Sequence, residues 1–142
     1  CGLPSAGITC DEAAGRTTCI PIPFSQDCGG NDCNYEADIQ PIFNRNCTNC
    51  HGAAAPRVGL DLSTGNSHGG LVNIASIYAN EGAPPLVVPG NALGSFLSEK
   101  VASANPTHGG RMPPNRPLSG PDLLKIRNWI NNGASSGDYA CE

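Results

Sequence analysis

Apolar positions along the chain fall into helical pieces only after residue 38. The clearest piece is the last, where Leu123, Ile126 and Ile130 recur at helical spacing with Leu124 and Trp129 flanking the stripe. Ser119-Gly-Pro-Asp122 in front of it resembles a capping box with proline in the first turn, and Gly133 suits the position just past a helix end. A second helix is predicted from a cap at Asn91 to Ala102, with Leu93, Phe96, Leu97 and Val101 on one side. Asp38 can cap a third over Ile39–Arg45, with Pro41 tolerated in its first turn. Leu71–Tyr78 reads as one or two further helical turns. Residues 52–70 read as loop, and residues 105–118, with four prolines and two glycines, as an extended loop.

Residues 1–36 show no helical period. They contain five cysteines and only five of the 27 Leu, Ile, Val and Phe residues in the 142-residue chain. A segment so poor in apolar side chains needs another staple, and disulfides in an oxidising compartment are the expected one. The predicted organisation is a cysteine-rich arm, 1–36, followed by an all-α domain, 37–142. With 27 such residues in 142, the chain as a whole is short of core material for its length, which predicts that it borrows stability from something besides its hydrophobic side chains.

Charge and hydropathy exclude several classes. The eight Lys and Arg residues are scattered from Arg16 to Arg127, so no basic stripe is available for nucleic acid. The longest aliphatic run, Leu86-Val87-Val88, cannot cross a bilayer. The net charge of −4 is uneven: residues 1–38 carry six acids and one base, and the remainder is near neutral. No signal peptide is legible. The chain opens at Cys1-Gly2, which predicts processing and also matches the start of a mature lipoprotein anchored by a lipid on Cys1.

Cys47-Thr48-Asn49-Cys50-His51 is the chemical centre of the sequence. C-x-x-C-H is the attachment signature of c-type haem: two thiols form thioethers with the vinyl groups, and the following histidine ligates the iron. A covalent haem would also supply the missing apolar core. Two other readings use the same cysteines. Cys28-x4-Cys33, thirteen residues, and Cys47-x2-Cys50 approach a four-cysteine zinc pattern, and Cys47–Cys50 can be drawn as a disulfide. A second axial ligand has one methionine to draw on, Met112, in the proline-stiffened stretch Gly109-Gly-Arg-Met-Pro-Pro114. Core filling, the usual role of a lone methionine, does not suit those neighbours. His108 and His68 are the rivals. Arg111 and Arg57 are candidate partners for the haem propionates.

With these residues in view, the chain resembles class I c-type cytochromes, and more narrowly bacterial monohaem cytochrome c domains. The likeness rests on Ile39-Gln-Pro-Ile-Phe43, Cys47-Thr-Asn-Cys-His-Gly52, Gly59-Leu-Asp-Leu-Ser63, Leu71-Val-Asn73, Leu86-Val-Val-Pro-Gly90, Gly110-Arg-Met-Pro113 and Trp129-Ile-Asn-Asn-Gly-Ala134. It covers about residues 36–135 and leaves the arm without a counterpart. It implies a small helical bundle around one haem, with first and last helices crossing so that Phe43 lies near Trp129 or Ile130. Cys141 would then end near the root of the arm and bridge to Cys28 or Cys33.

Met/His ligation leaves no open iron position, so the expected activity is one-electron transfer between redox protein partners, without catalysis. The alternative is a haem enzyme or sensor with an open axial site, as in peroxidases. A third expectation is self-association through the arm into an extracellular electron-conducting filament. Cys1, Cys10, Cys19, Cys28, Cys33 and Cys141 allow three disulfides in fifteen connectivities. The expected location is outside the cytoplasm: periplasm, cell surface or extracellular space.

Overall fold

The β-branched residues of the arm form strands where an irregular arm was expected. In the computed structural model, which describes residues 8–11, 18–21 and 32–141, β1 (Ile8–Asp11) pairs antiparallel with β2 (Thr18–Pro21). The register sets Cys10 opposite Cys19. The chain divides into two compact units, residues 1–32 and 33–142. The division therefore lies before Cys33, where composition alone suggests a change after Glu36. The expected roles of Cys1 and Cys28 lie outside the described residues, and so does most of the arm on which self-association was argued.

The second unit opens with a strand. β3 (Asp32–Asn34) pairs with β4 (Asp138–Ala140), and the Cys33–Cys141 disulfide closes the same end. The long-range bridge from Cys141 thus falls on Cys33 of the same chain, one of its two expected partners. Asn34 Nδ2 adds a 2.6 Å hydrogen bond to Asp138 Oδ1. The fold is accordingly helical with small two-stranded sheets, which corrects the all-α expectation.

Asn34, not Asp38, starts the first helical segment. Its side chain accepts from the amides of Glu36 and Ala37, and a wide π-helical turn, Tyr35–Ile39, leads into α1 (Gln40–Asn46). Asp38 instead accepts from the Asn34 amide at 2.8 Å and faces Lys125 at 3.9 Å. Pro41 sits in the first turn of α1, as its missing amide allows. α2 (Ser67–Leu71) precedes the stretch where helical turns were predicted. Val72, beyond it, makes a parallel bridge to Val87.

α3 (Phe96–Ala102) begins later than the Asn91 cap suggests. The Asn91 side chain caps a separate turn by accepting from the Gly94 amide at 2.9 Å. That turn carries Leu93 outward, 98% exposed, off the apolar face it was assigned to. Phe96, Leu97 and Val101 are buried as expected. α4 (Gly120–Asn131) follows the sequence closely: Ser119 caps it through the Asp122 amide, Pro121 lies in its first turn, and Gly133 takes a φ of 102° beyond its end.

Trp129 is the centre of the core and is 0% exposed, where the stripe had placed it at the flank. Tyr35, from the π-helical turn, meets it at 5.1 Å between ring centroids. The crossing of the terminal helical segments therefore runs through Tyr35, while Phe43 belongs to the same buried cluster. A buried polar chain ties this core to the next region. Tyr35 donates to Ser67, Ser67 to Gln40, and the Gln40 amide to the Leu62 carbonyl. No helix among the described residues is long and apolar enough to cross a membrane.

Candidate functional site

α1 ends by winding directly into the C-x-x-C-H segment. The amides of Cys47 and Thr48 both donate to the Phe43 carbonyl, and those of Cys50 and His51 to Cys47. The backbone of His51 is fixed on its other side as well, since its carbonyl accepts from Leu62 at 2.7 Å. Leu62 is also the end of the buried polar chain, so the placement of His51 is coupled to the Trp129 core. Gly52 is required by close packing: a β-carbon there would lie 2.5 Å from the Thr48 carbonyl oxygen.

Cys47 and His51 line a largely apolar cavity of about 240 Å³, and so does Met112. The other walls come from Leu60, Leu62, Leu71 and Leu86 and from Phe96, Leu97 and Val101 of α3. At the mouth, Val58 and Ile77 are 63% and 60% exposed. Cys50 is half-buried in the turn but does not line the cavity. Neither thiol is bridged to anything. A wider groove between α3 and α4 contains no histidine, cysteine or methionine.

The competing ligands are engaged elsewhere. His68 donates to the Ala134 carbonyl at 2.7 Å and packs edge-on against Tyr35. His108 stacks on Tyr78 at 5.5 Å and lies 4.0 Å from the Glu81 carboxylate. Neither lines the cavity. The four-cysteine zinc set is broken by the Cys33–Cys141 disulfide, and no group of three or more potential metal-binding residues among His, Cys, Asp and Glu occurs among the described residues. Burial, reinforced by the neighbouring Cys50, pushes the Cys47 thiol up to about 11.

The residues present fit a covalent haem. The wall is largely apolar, the donor set joins an imidazole to a thioether, and two free thiols precede the imidazole in sequence. Among the five buried side-chain polar atoms of the described residues that lack partners are His51 Nδ1 and Arg111 Nε. Buried donors without acceptors are costly, and a carboxylate near Arg111 would relieve one of them. Arg57, in the short 3-10 turn Arg57–Gly59, is exposed.

Lys100 is the residue that sequence reasoning missed. It lines the cavity from α3, and its ammonium donates to the carbonyls of His108 and Gly110. Its signal was its isolation, as the only Lys or Arg between Arg57 and Arg111. Comparison with protein-family models, curated proteins and solved structures finds no match for the chain.

Two tyrosines make the unit sensitive to alkali. Burial raises Tyr35 to about 12, against the opposing hydrogen bond shared with Ser67, and raises Tyr139 to about 12 with a smaller contribution from Asp38. An unfolded tyrosine loses its proton near about pH 10. Between about pH 10 and 12 the unfolded chain therefore holds fewer protons than the folded one, and stability falls as pH rises. Denaturant midpoints measured from pH 7 to 12 should stay level and then drop above about pH 10. The Tyr35→Phe variant should show a shallower drop.

Proposed function

We propose that this protein is a one-electron carrier, a monohaem c-type cytochrome working outside the cytoplasm. The observation that carries the reading is the convergence of Cys47, His51 and Met112 on one apolar cavity, although Met112 lies far along the chain in a separate loop. Cys47 and Cys50 would carry the haem through thioether bonds, with His51 and Met112 as axial ligands. Haem iron supplies reversible one-electron chemistry, with Met/His ligation raising the potential relative to bis-histidine ligation.

The chain's own residues do the rest. The turn after α1 fixes the His51 backbone from both sides. The leucines and α3 keep water from the cavity, which limits the charge reorganisation that accompanies electron transfer. Arg111, whose Nε is buried and without a partner, would offer its half-buried guanidinium to a propionate. With His51 and Met112 both committed to the iron, no position on it would be left open to a substrate, and the protein would pass electrons between redox proteins without transforming a substrate. The Cys33–Cys141 disulfide is compatible with an oxidising compartment.

Intact mass after denaturation, on protein made with a haem-attachment system, should exceed the polypeptide mass by one haem. The Cys47→Ser, Cys50→Ser double variant should lose that increment. A wild-type mass equal to the polypeptide alone overturns the proposal.

A further inference from the structure

The loop bearing Met112 has no regular secondary structure, yet it is gripped at several points by the last turn of α3. Glu99 accepts hydrogen bonds from the amide and the hydroxyl of Thr107. Lys100, the next residue, donates its ammonium to the carbonyls of His108, at 3.0 Å, and Gly110. Its own carbonyl accepts from the Met112 amide at 2.7 Å. The loop thus winds around one side chain, bonded on both sides of Gly109.

Gly109 shows how tight the wrap is. Its φ is +65°, and a β-carbon there would stand 2.9 Å from the Tyr78 hydroxyl and 3.0 Å from Lys100 Nζ. Tyr78 completes the grip by stacking on His108. An ammonium against the wall of an apolar cavity is an unfavourable place for a charge unless it is fully hydrogen-bonded. Here carbonyls of the Met112 loop supply those bonds. The same contacts hold His108, the rival ligand, against Tyr78 and away from the cavity lining.

We propose that Lys100 is a positioning residue for Met112: it clasps loop 107–112 so that the thioether is presented to the cavity and His108 is kept out of it. The inference rests on the reading of Met112 as an axial ligand. It assigns the selection between Met112 and His108 to a side chain that contacts no iron.

The test uses the full haem-loaded protein and three variants. Lys100→Leu keeps an apolar side chain, removes the donors and adds no thioether. Lys100→Arg keeps donors for both carbonyls. Gly109→Ala strains the clasp from the loop side. In Lys100→Leu and Gly109→Ala, intact mass should still include the haem, while the thioether–iron charge-transfer band at the red end of the visible spectrum should be largely lost. The Met112 amide should exchange with solvent about tenfold faster or more, the scale expected for losing charge-assisted bonds. The amides of Ile126 and Ile130 in α4 should be unaffected, and Lys100→Arg should retain the band.

A full-strength red band in Lys100→Leu, or Met112 amide exchange unchanged from wild type, overturns the role of Lys100 and leaves the ligand reading standing. A wild-type protein that carries haem without the red band overturns the ligand reading itself, and this proposal with it.

Discussion

Trp129→Ala is expected to cost about 3–5 kcal/mol of folding free energy, the range for truncating a large buried aromatic. For a domain of ordinary stability that is a large share of the total. Three contacts account for it. The indole is fully buried, lies 5.1 Å from the Tyr35 ring, and donates Nε1–H to the Ser135 carbonyl at 2.8 Å. Ser135 belongs to the turn that leads into β4, and the Tyr35 amide donates to Gly137 in the same turn. The truncation therefore opens a cavity and also loosens the closure between the two ends of the unit. Urea unfolding of the wild type and of Trp129→Ala and Trp129→Phe measures this directly. Trp129→Phe should recover more than half of the loss, because it refills most of the volume and lacks only the indole donor. A loss below about 1 kcal/mol in Trp129→Ala would mean that the Tyr35–Trp129 contact does not organise the core.

What could be read in advance depended on whether local neighbours decide the outcome. The start of α4 was legible because Ser119, Pro121 and Asp122 act within one turn of each other. The turn through C-x-x-C-H is local for the same reason, and the structure brings the chain's one methionine, Met112, to the cavity that Cys47 and His51 line. Leu93 was misplaced because Asn91 has two possible uses. As a cap it can begin a helix or close an isolated turn, and Gly94 at the third position favours the turn. Asp38 was taken for a cap because the wide turn Tyr35–Ile39 has no signature of its own. Its real cap, Asn34, lies inside the segment that composition assigns to the arm. Tyr35 was overlooked for that reason too: it closes the core from just beyond a compositional border.

Lys100 illustrates a different limit. Its partners are the carbonyls of His108 and Gly110, and every residue has a carbonyl. No side-chain pattern marks such a contact. Only the fold of the loop, permitted by the positive φ of Gly109, brings those acceptors to one ammonium.

Met112→Ala should leave the haem attached, since neither thioether nor His51 is touched, and should abolish the red charge-transfer band. The reduction potential should fall because the softer thioether, which favours the ferrous state, is gone. What replaces it distinguishes the two histidines. His68 is committed to the Ala134 carbonyl and packs against Tyr35, so recruiting it would disrupt the core; melting temperature would drop with the spectral change. His108 has to leave its stack on Tyr78, its edge contact with Phe96 and its place near the Glu81 carboxylate, but its Nδ1 has no partner to give up. A low-spin bis-histidine spectrum with little loss of stability would therefore identify His108, and the Met112→Ala, His108→Ala double variant should then turn high-spin. A high-spin spectrum in the single variant would mean that Lys100 and Tyr78 hold His108 in place even without a competitor. An unchanged red band in Met112→Ala would remove Met112 from the iron altogether, because no other methionine exists in the chain to supply it.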